Sequence, residues 1–104
     1  EQAFLEKLRE AVESDLENSD MTIPELAEKM GMSQIQMYRK LKALTGQTPS
    51  QFIRGIRLKK GREMLLETDL NISEIAYLVG FSDPNYFSKT FHETYRQPPH
   101  ALRN

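Results

Sequence analysis

The residues best suited to chemistry with another molecule stand in one stretch, Ser33 to Gly46, SQIQMYRKLKALTG. Gln34, Gln36, Tyr38, Arg39 and Lys42 are side chains of the kind that hydrogen-bond base edges and phosphates. Met37, Leu41 and Leu44 recur at steps of four and three, which sets them on one apolar stripe of a helix. Ser33 is a good N-cap, and Gln36 three residues later completes a capping box. Gly46 can take a left-handed conformation and stop the helix. By itself the stretch describes a short amphipathic helix with a polar reading face or an ordinary solvated one.

Charge distribution favours the first description. Residues 1–28 carry nine acids (Glu1, Glu6, Glu10, Glu13, Asp15, Glu17, Asp20, Glu25 and Glu28) against Lys7 and Arg9. Residues 29–62 carry nine bases and no acid: Lys29, Arg39, Lys40, Lys42, Arg54, Arg57, Lys59, Lys60 and Arg62. The formal net charge of −1 therefore conceals a directional field, and a basic surface points to phosphates.

Enzymatic signals are missing. The chain has no cysteine, which removes disulfides and cysteine-ligated metals. Its two histidines, His92 and His100, lack metal-binding spacing. No phosphate-cradling glycine loop and no nucleophile elbow occurs, so no cofactor is expected. The 104 residues suffice for one domain with a modest core. No apolar run is long enough for a bilayer, and no signal-peptide pattern is present. The chain starts at Glu1 inside a helical pattern, as expected of a piece of a longer protein.

The elements that must hold the reading stretch follow in order. Residues 2–17 give a first, acidic helix through Phe4, Leu5, Leu8, Ala11, Val12 and Leu16. Thr22 and Glu25 box a second helix, with Pro24 in its first turn and Ile23, Leu26, Ala27 and Met30 inward. Gly31 and Met32 turn the chain into the Ser33 helix. Two short helices across a glycine turn make a helix-turn-helix, whose second helix enters the major groove. Thr48-Pro49-Ser50-Gln51 starts a helix of roughly 27 Å running to about Glu67. Its expected apolar face is Phe52, Ile53, Ile56, Leu58, Met64, Leu65 and Leu66, and Gly61 signals either a close helix contact or a kink.

The pattern then repeats. Thr22-Ile23-Pro24-Glu25-Leu26-Ala27 returns 49 residues later as Asn71-Ile72-Ser73-Glu74-Ile75-Ala76, and Gly31 returns as Gly80. One residue is added in the turn, and at an offset of 50 Met37 matches Phe87, Arg39 matches Lys89, Leu41 matches Phe91 and Pro49 matches Pro99. The second outer helix is expected from Asp83 to Tyr95. Tyr86, Phe87, Thr90, Phe91 and Tyr95 face inward there, while Asn85, Ser88, Lys89 and His92 face outward. A short helix at Pro98 to Leu102 closes the chain. The expected fold is all-α, with two helix-turn-helix units joined by a long linker helix and about seven helices. As one domain over 1–104, it divides into a first unit at 1–46, a linker helix at 48–67 and a second unit at 71–103.

The wording IAYLVGFSDPNYFSKTFHETYRQPP, preceded by LAEKMGMSQIQMYRKLKALTGQTPSQFIRGIRL, resembles the DNA-binding domain of the AraC/XylS family of bacterial transcription regulators. The likeness covers residues 20–103. The first half is most similar to the C-terminal output domains of Bacteroidetes hybrid two-component regulators. This resemblance implies cytoplasmic, sequence-specific binding of double-stranded DNA, with a recognition helix from each unit in successive major-groove segments. By the family pattern, base contacts fall on Gln34, Ile35, Tyr38 and Arg39 and on Pro84, Asn85, Ser88 and Lys89. Phosphate contacts are expected from Ser33, Lys40, Lys42, His92 and Arg96. RNA polymerase is a second candidate partner, and the alternative function is a helical module that docks on it or on another regulator. The fragment is expected to be monomeric, with dimerisation open for the full-length protein. One departure stands out: the family usually has glycine where Arg96 stands, so Arg96 either adopts a left-handed backbone or ends its helix differently.

Overall fold

A computed structural model describes residues 1–103. Six α-helices and a closing 3-10 turn follow one another, with no strand among the described residues: α1 Gln2–Glu13, α2 Ile23–Lys29, α3 Gln34–Thr45, α4 Pro49–Glu67, α5 Ile72–Leu78, α6 Pro84–Tyr95 and the 3-10 turn Pro99–Arg103. The chain divides into two compact units, Glu1–Ile56 and Arg57–Asn104, and the division falls within α4.

Local signals set the helix starts. In α2, α3 and α5 the cap side chain accepts the backbone N–H of the third helical residue, whose own side chain reaches back to the cap N–H. The pairs are Thr22 with Glu25, Ser33 with Gln36 and Asn71 with Glu74. Thr48 and Gln51 do the same ahead of α4. Each reciprocal pair satisfies two amide donors that the first turn leaves without an intrahelical partner.

The repeat is visible in lengths and angles. α2 and α5 span seven residues each, α3 and α6 twelve each. Gly31 and Gly80 both turn with positive φ, +70° and +94°. After each glycine the next amide bonds back to the buried alanine: Met32 N–H to the Ala27 carbonyl and Phe81 N–H to that of Ala76.

The first unit buries Phe4, Leu8 and Val12 of α1 against Leu26, Ala27, Met30, Met37, Leu41, Phe52, Ile53 and Ile56. α1 ends at Glu13, four residues short of the expected end, and residues 14–17 form turns. The Ser14 hydroxyl donates to the Ala11 carbonyl, and the Asp15 amide bonds only three residues back, to Val12, which tightens the last turn and stops it.

The second unit buries Leu58, Leu65, Ile75, Ala76, Val79, Phe81, Phe87 and Phe91. Gly61 answers a close approach: a Cβ there would sit 2.8 Å from the Phe87 ring. Arg57 is buried, and its Nη1 donates to the Val79 carbonyl at 2.8 Å. Arg103 closes the unit by donating to the carbonyls of Leu65, Thr68 and Leu70 at the end of α4 and just beyond it.

Three apolar residues expected inside are outside. Leu44, in the final turn of α3, is 42% exposed, Leu66 is 54% exposed and Tyr86 is 45% exposed. Leu66 and Tyr86 each adjoin a residue that is buried, Leu65 and Phe87. Successive residues point ~100° apart on a helix, so both are buried only where neighbouring elements cover a wide arc, as at Phe52 and Ile53. Here only one of each pair is covered.

Candidate nucleic-acid interface

In the first unit Met37 and Leu41 sink fully into the core and fix the roll of α3. What remains outward is Gln34, Ile35, Tyr38 and Arg39, all exposed. These four line one recess of about 450 Å³, whose other walls are Ile23 of α2 and Thr48, Pro49 and Ser50 at the start of α4. The structure thus brings together every base-contact candidate of this unit.

The acid-free stretch turns out to be partly spent on the fold. Lys40 is half-buried against α1, 3.3 Å from a Glu1 carboxylate oxygen and 4.9 Å above the Phe4 ring. Lys29 pairs with Asp15 at 3.9 Å and Lys60 with Glu63 at 3.6 Å. Arg57 is the buried donor described above, and Arg62 lies over the Tyr95 ring at 5.6 Å. Lys42 stays exposed while its Nζ donates to the Gly46 carbonyl at the C-terminus of α3. A cation there also complements the helix dipole. Arg39 is different: it is exposed and forms no ion pair or hydrogen bond among the described residues. Its fork of donors is free for a ligand. Ser33 spends an oxygen lone pair on the cap and keeps its hydroxyl proton available.

In the second unit Phe87, Thr90 and Phe91 are buried and set the roll of α6. Asn85 and Lys89 are then exposed, with Pro84 and Ser88 half-buried beside them. Asn85 gives its backbone N–H to the Asp83 cap, so capping leaves its side-chain amide unspent. His92 and Arg96 are exposed toward the end of the helix. Arg96 resolves its own alternative by adopting the left-handed backbone, φ 63° and ψ 20°, and its N–H bonds the His92 carbonyl at 2.8 Å. Gly46 does the same on Lys42, φ 76° and 2.8 Å.

The family likeness sets Arg57 near the core and out of the interface, as found; its partner and the role of Arg103 were not foreseen. The two arginines target carbonyls 22 and 33–38 residues away, which no local pattern announces. Among the described residues no cluster of three or more acidic or histidine side chains could hold a metal ion, and no helix is long and apolar enough to cross a membrane.

Two copies of a capped helix, a glycine turn and an outward second helix, with a free cation at the same register position in each, define a helix-turn-helix DNA-binding protein. A family model described as a helix-turn-helix domain matches residues 26–104. Over all 104 residues the chain is 35% identical to a protein named histidine kinase P4 of Formosa agariphila, of which it spans 8%. Over 81 residues, 78% of this chain, it is 38% identical to the HTH-type transcriptional activator RhaS of Yersinia pestis, of which it spans 30%. Among solved structures, the C-terminal domain of the two-component response regulator yesN of Fusobacterium nucleatum superposes with a TM-score of 0.83 at 30% identity, covering 95% of this chain and 96% of that one. An AraC-type transcriptional regulator of Chromobacterium violaceum gives 0.89 at 27% identity, covering 98% and 90%. The chain belongs to this family of AraC-type helix-turn-helix DNA-binding domains.

Proposed function

We propose that this chain is the output domain of a bacterial two-component transcription regulator, binding double-stranded DNA sequence-specifically through α3 and α6 in successive major-groove segments. The observation that carries the reading is the free, exposed Arg39 on α3 beside Gln34, Ile35 and Tyr38, with Lys89 at the equivalent place on α6. Arg39 reads guanine through O6 and N7, a contact worth ~1–3 kcal/mol of discrimination. Gln34, Ile35 and Tyr38 meet neighbouring base edges. Asn85, Ser88 and Lys89 do so in the second unit, and Pro84 adds van der Waals contact. Ser33, Lys42, His92 and Arg96 meet phosphates, which hold register without reading sequence. Lys40 is left out, because Glu1 and Phe4 already engage it.

The domain carries out no catalysis in this reading, works in the cytoplasm and is monomeric by itself. Dimerisation and contact with RNA polymerase belong to a longer protein. The test is selection of bound sequences from a random DNA pool, followed by titration across a salt series. Expected is a bipartite site whose affinity falls steeply with salt through counterion release. Arg39→Ala should lose about 10- to 100-fold on the selected site and relax one half of it. Lys42→Ala should weaken all sequences alike and reduce the salt slope by about 1. Equal losses on selected and random DNA for Arg39→Ala would remove its base-reading role.

A further inference from the structure

We propose that the first unit reads a thymine by its 5-methyl group, in the recess walled by Ile35 and Tyr38, within two base pairs of the guanine taken by Arg39. This rests on the DNA-reading role of α3 and names what that helix selects. Ile35 is 62% exposed, the most exposed of the large apolar side chains in the structure. A β-branched residue there is a weaker helix former than alanine and buries little, so folding gives no account of it. Other exposed apolar side chains, Leu44, Leu66, Tyr77 and Tyr86, lie outside the recess and need no partner. Ile35 instead shares its recess with Tyr38, Ile23 and Pro49, an apolar lining that opens beside the free guanidinium of Arg39. Base edges in the major groove carry donors, acceptors and a single apolar substituent, the thymine methyl. The recess has room for that methyl and the sugar edge beside it.

Geometry sets where the thymine falls. Ile35 and Arg39 are four residues apart, hence on one face of α3 and roughly 6 Å apart along its axis. Base pairs stack at ~3.4 Å. The two side chains therefore address base pairs at most two steps apart. The second unit has no such device: Asn85 stands where Ile35 does, and Ser88 where Tyr38 does. The paired Ile35–Tyr38 recess therefore belongs to the first unit, where the methyl dependence is expected.

The test replaces each thymine of the selected site, one at a time, with deoxyuridine, which removes the methyl and keeps every hydrogen-bonding group. Expected is an affinity loss of about three- to fivefold at one or two positions, all within two base pairs of the guanine on which Arg39→Ala loses its preference. Ile35→Ala, at an exposed site that leaves the fold intact, should bind the deoxyuridine and thymine sites equally. The proposal is overturned if deoxyuridine is tolerated throughout that half-site, or if Ile35→Ala and Tyr38→Ala keep the full preference for thymine. If selection yields no preferred sequence at all, the DNA-reading role fails first and takes this inference with it.

Discussion

The two units use one chain plan and fill it with different matter. In the first, α1 lays Phe4, Leu8 and Val12 over a core of Leu26, Met30, Met37 and Leu41. In the second the place ahead of the short helix falls to the C-terminal half of α4, with Leu58 and Leu65 buried. This unit replaces aliphatic residues with rings that touch in series: Phe81 to Phe87 at 5.2 Å, Phe87 to Phe91 at 5.7 Å and Phe91 to Tyr95 at 4.7 Å. Larger side chains bury more area per position. The rings demand room, and Gly61 gives it where Phe87 meets α4. Two arginines supply the rest, Arg57 on the Val79 carbonyl and Arg103 across the end of α4. A repeated motif thus reaches the same backbone by different routes, according to what else covers it.

The largest expected effect tests that difference. Arg57→Met keeps the stem volume and strips the donor from a buried carbonyl, at a cost of about 1–3 kcal/mol. Hydrogen exchange should accelerate in α5 and α6 and hardly change in α2 and α3. Uniform acceleration would mean that the two units do not differ in what holds them.

A smaller effect comes from the two helix ends. Gly46 and Arg96 hold the same left-handed conformation, and only arginine has a Cβ to strain there. Arg96→Gly should stabilise by about 1 kcal/mol, and Gly46→Ala should destabilise by a similar amount, both read by thermal unfolding. Nothing crowds a Cβ at Gly46, so the backbone angle alone is at stake. Arg96→Gly should also weaken DNA binding at every sequence, which separates the phosphate role from the fold.

The smallest is a pH effect on the aromatic series. Burial lifts the Tyr95 phenol above its ordinary value and Glu63 adds to the rise, while the Arg62 guanidinium opposes it. The folded state therefore prefers the neutral phenol. That share of stability is complete below the unfolded value of about 10 and disappears as pH climbs through the raised folded one. Tyr95→Phe should flatten the loss of stability above about pH 10, measured by denaturant unfolding at a series of pH values.

Much of this was legible in the residues themselves. Capping boxes at Thr22, Ser33, Thr48 and Asn71 are local chemistry, complete within four residues, and the helices begin where they say. The 49- and 50-residue offsets fixed the two-unit plan for the same reason, since identical local signals fold identical local structure. Periodicity also placed Met37 and Leu41 inward and Phe87 and Phe91 with them. It failed where two apolar residues adjoin, at Leu65-Leu66 and Tyr86-Phe87, because the pattern does not say which one the neighbouring elements cover.

Tertiary structure decided the matters that depend on distant partners. Nine bases without an acid looked like one surface, yet folding turns Lys40 to Glu1 and Phe4, Arg57 to Val79 and Arg62 to Tyr95, and leaves Arg39 free. Gly61 left a kink and a close contact equally open until the Phe87 ring was seen against it. The sequence by itself determined where each helix starts and which of its faces sinks, because both depend on residues within a turn or two. Only the packed chain decided which charges remain available, because a side chain's partner is set by what folding brings beside it.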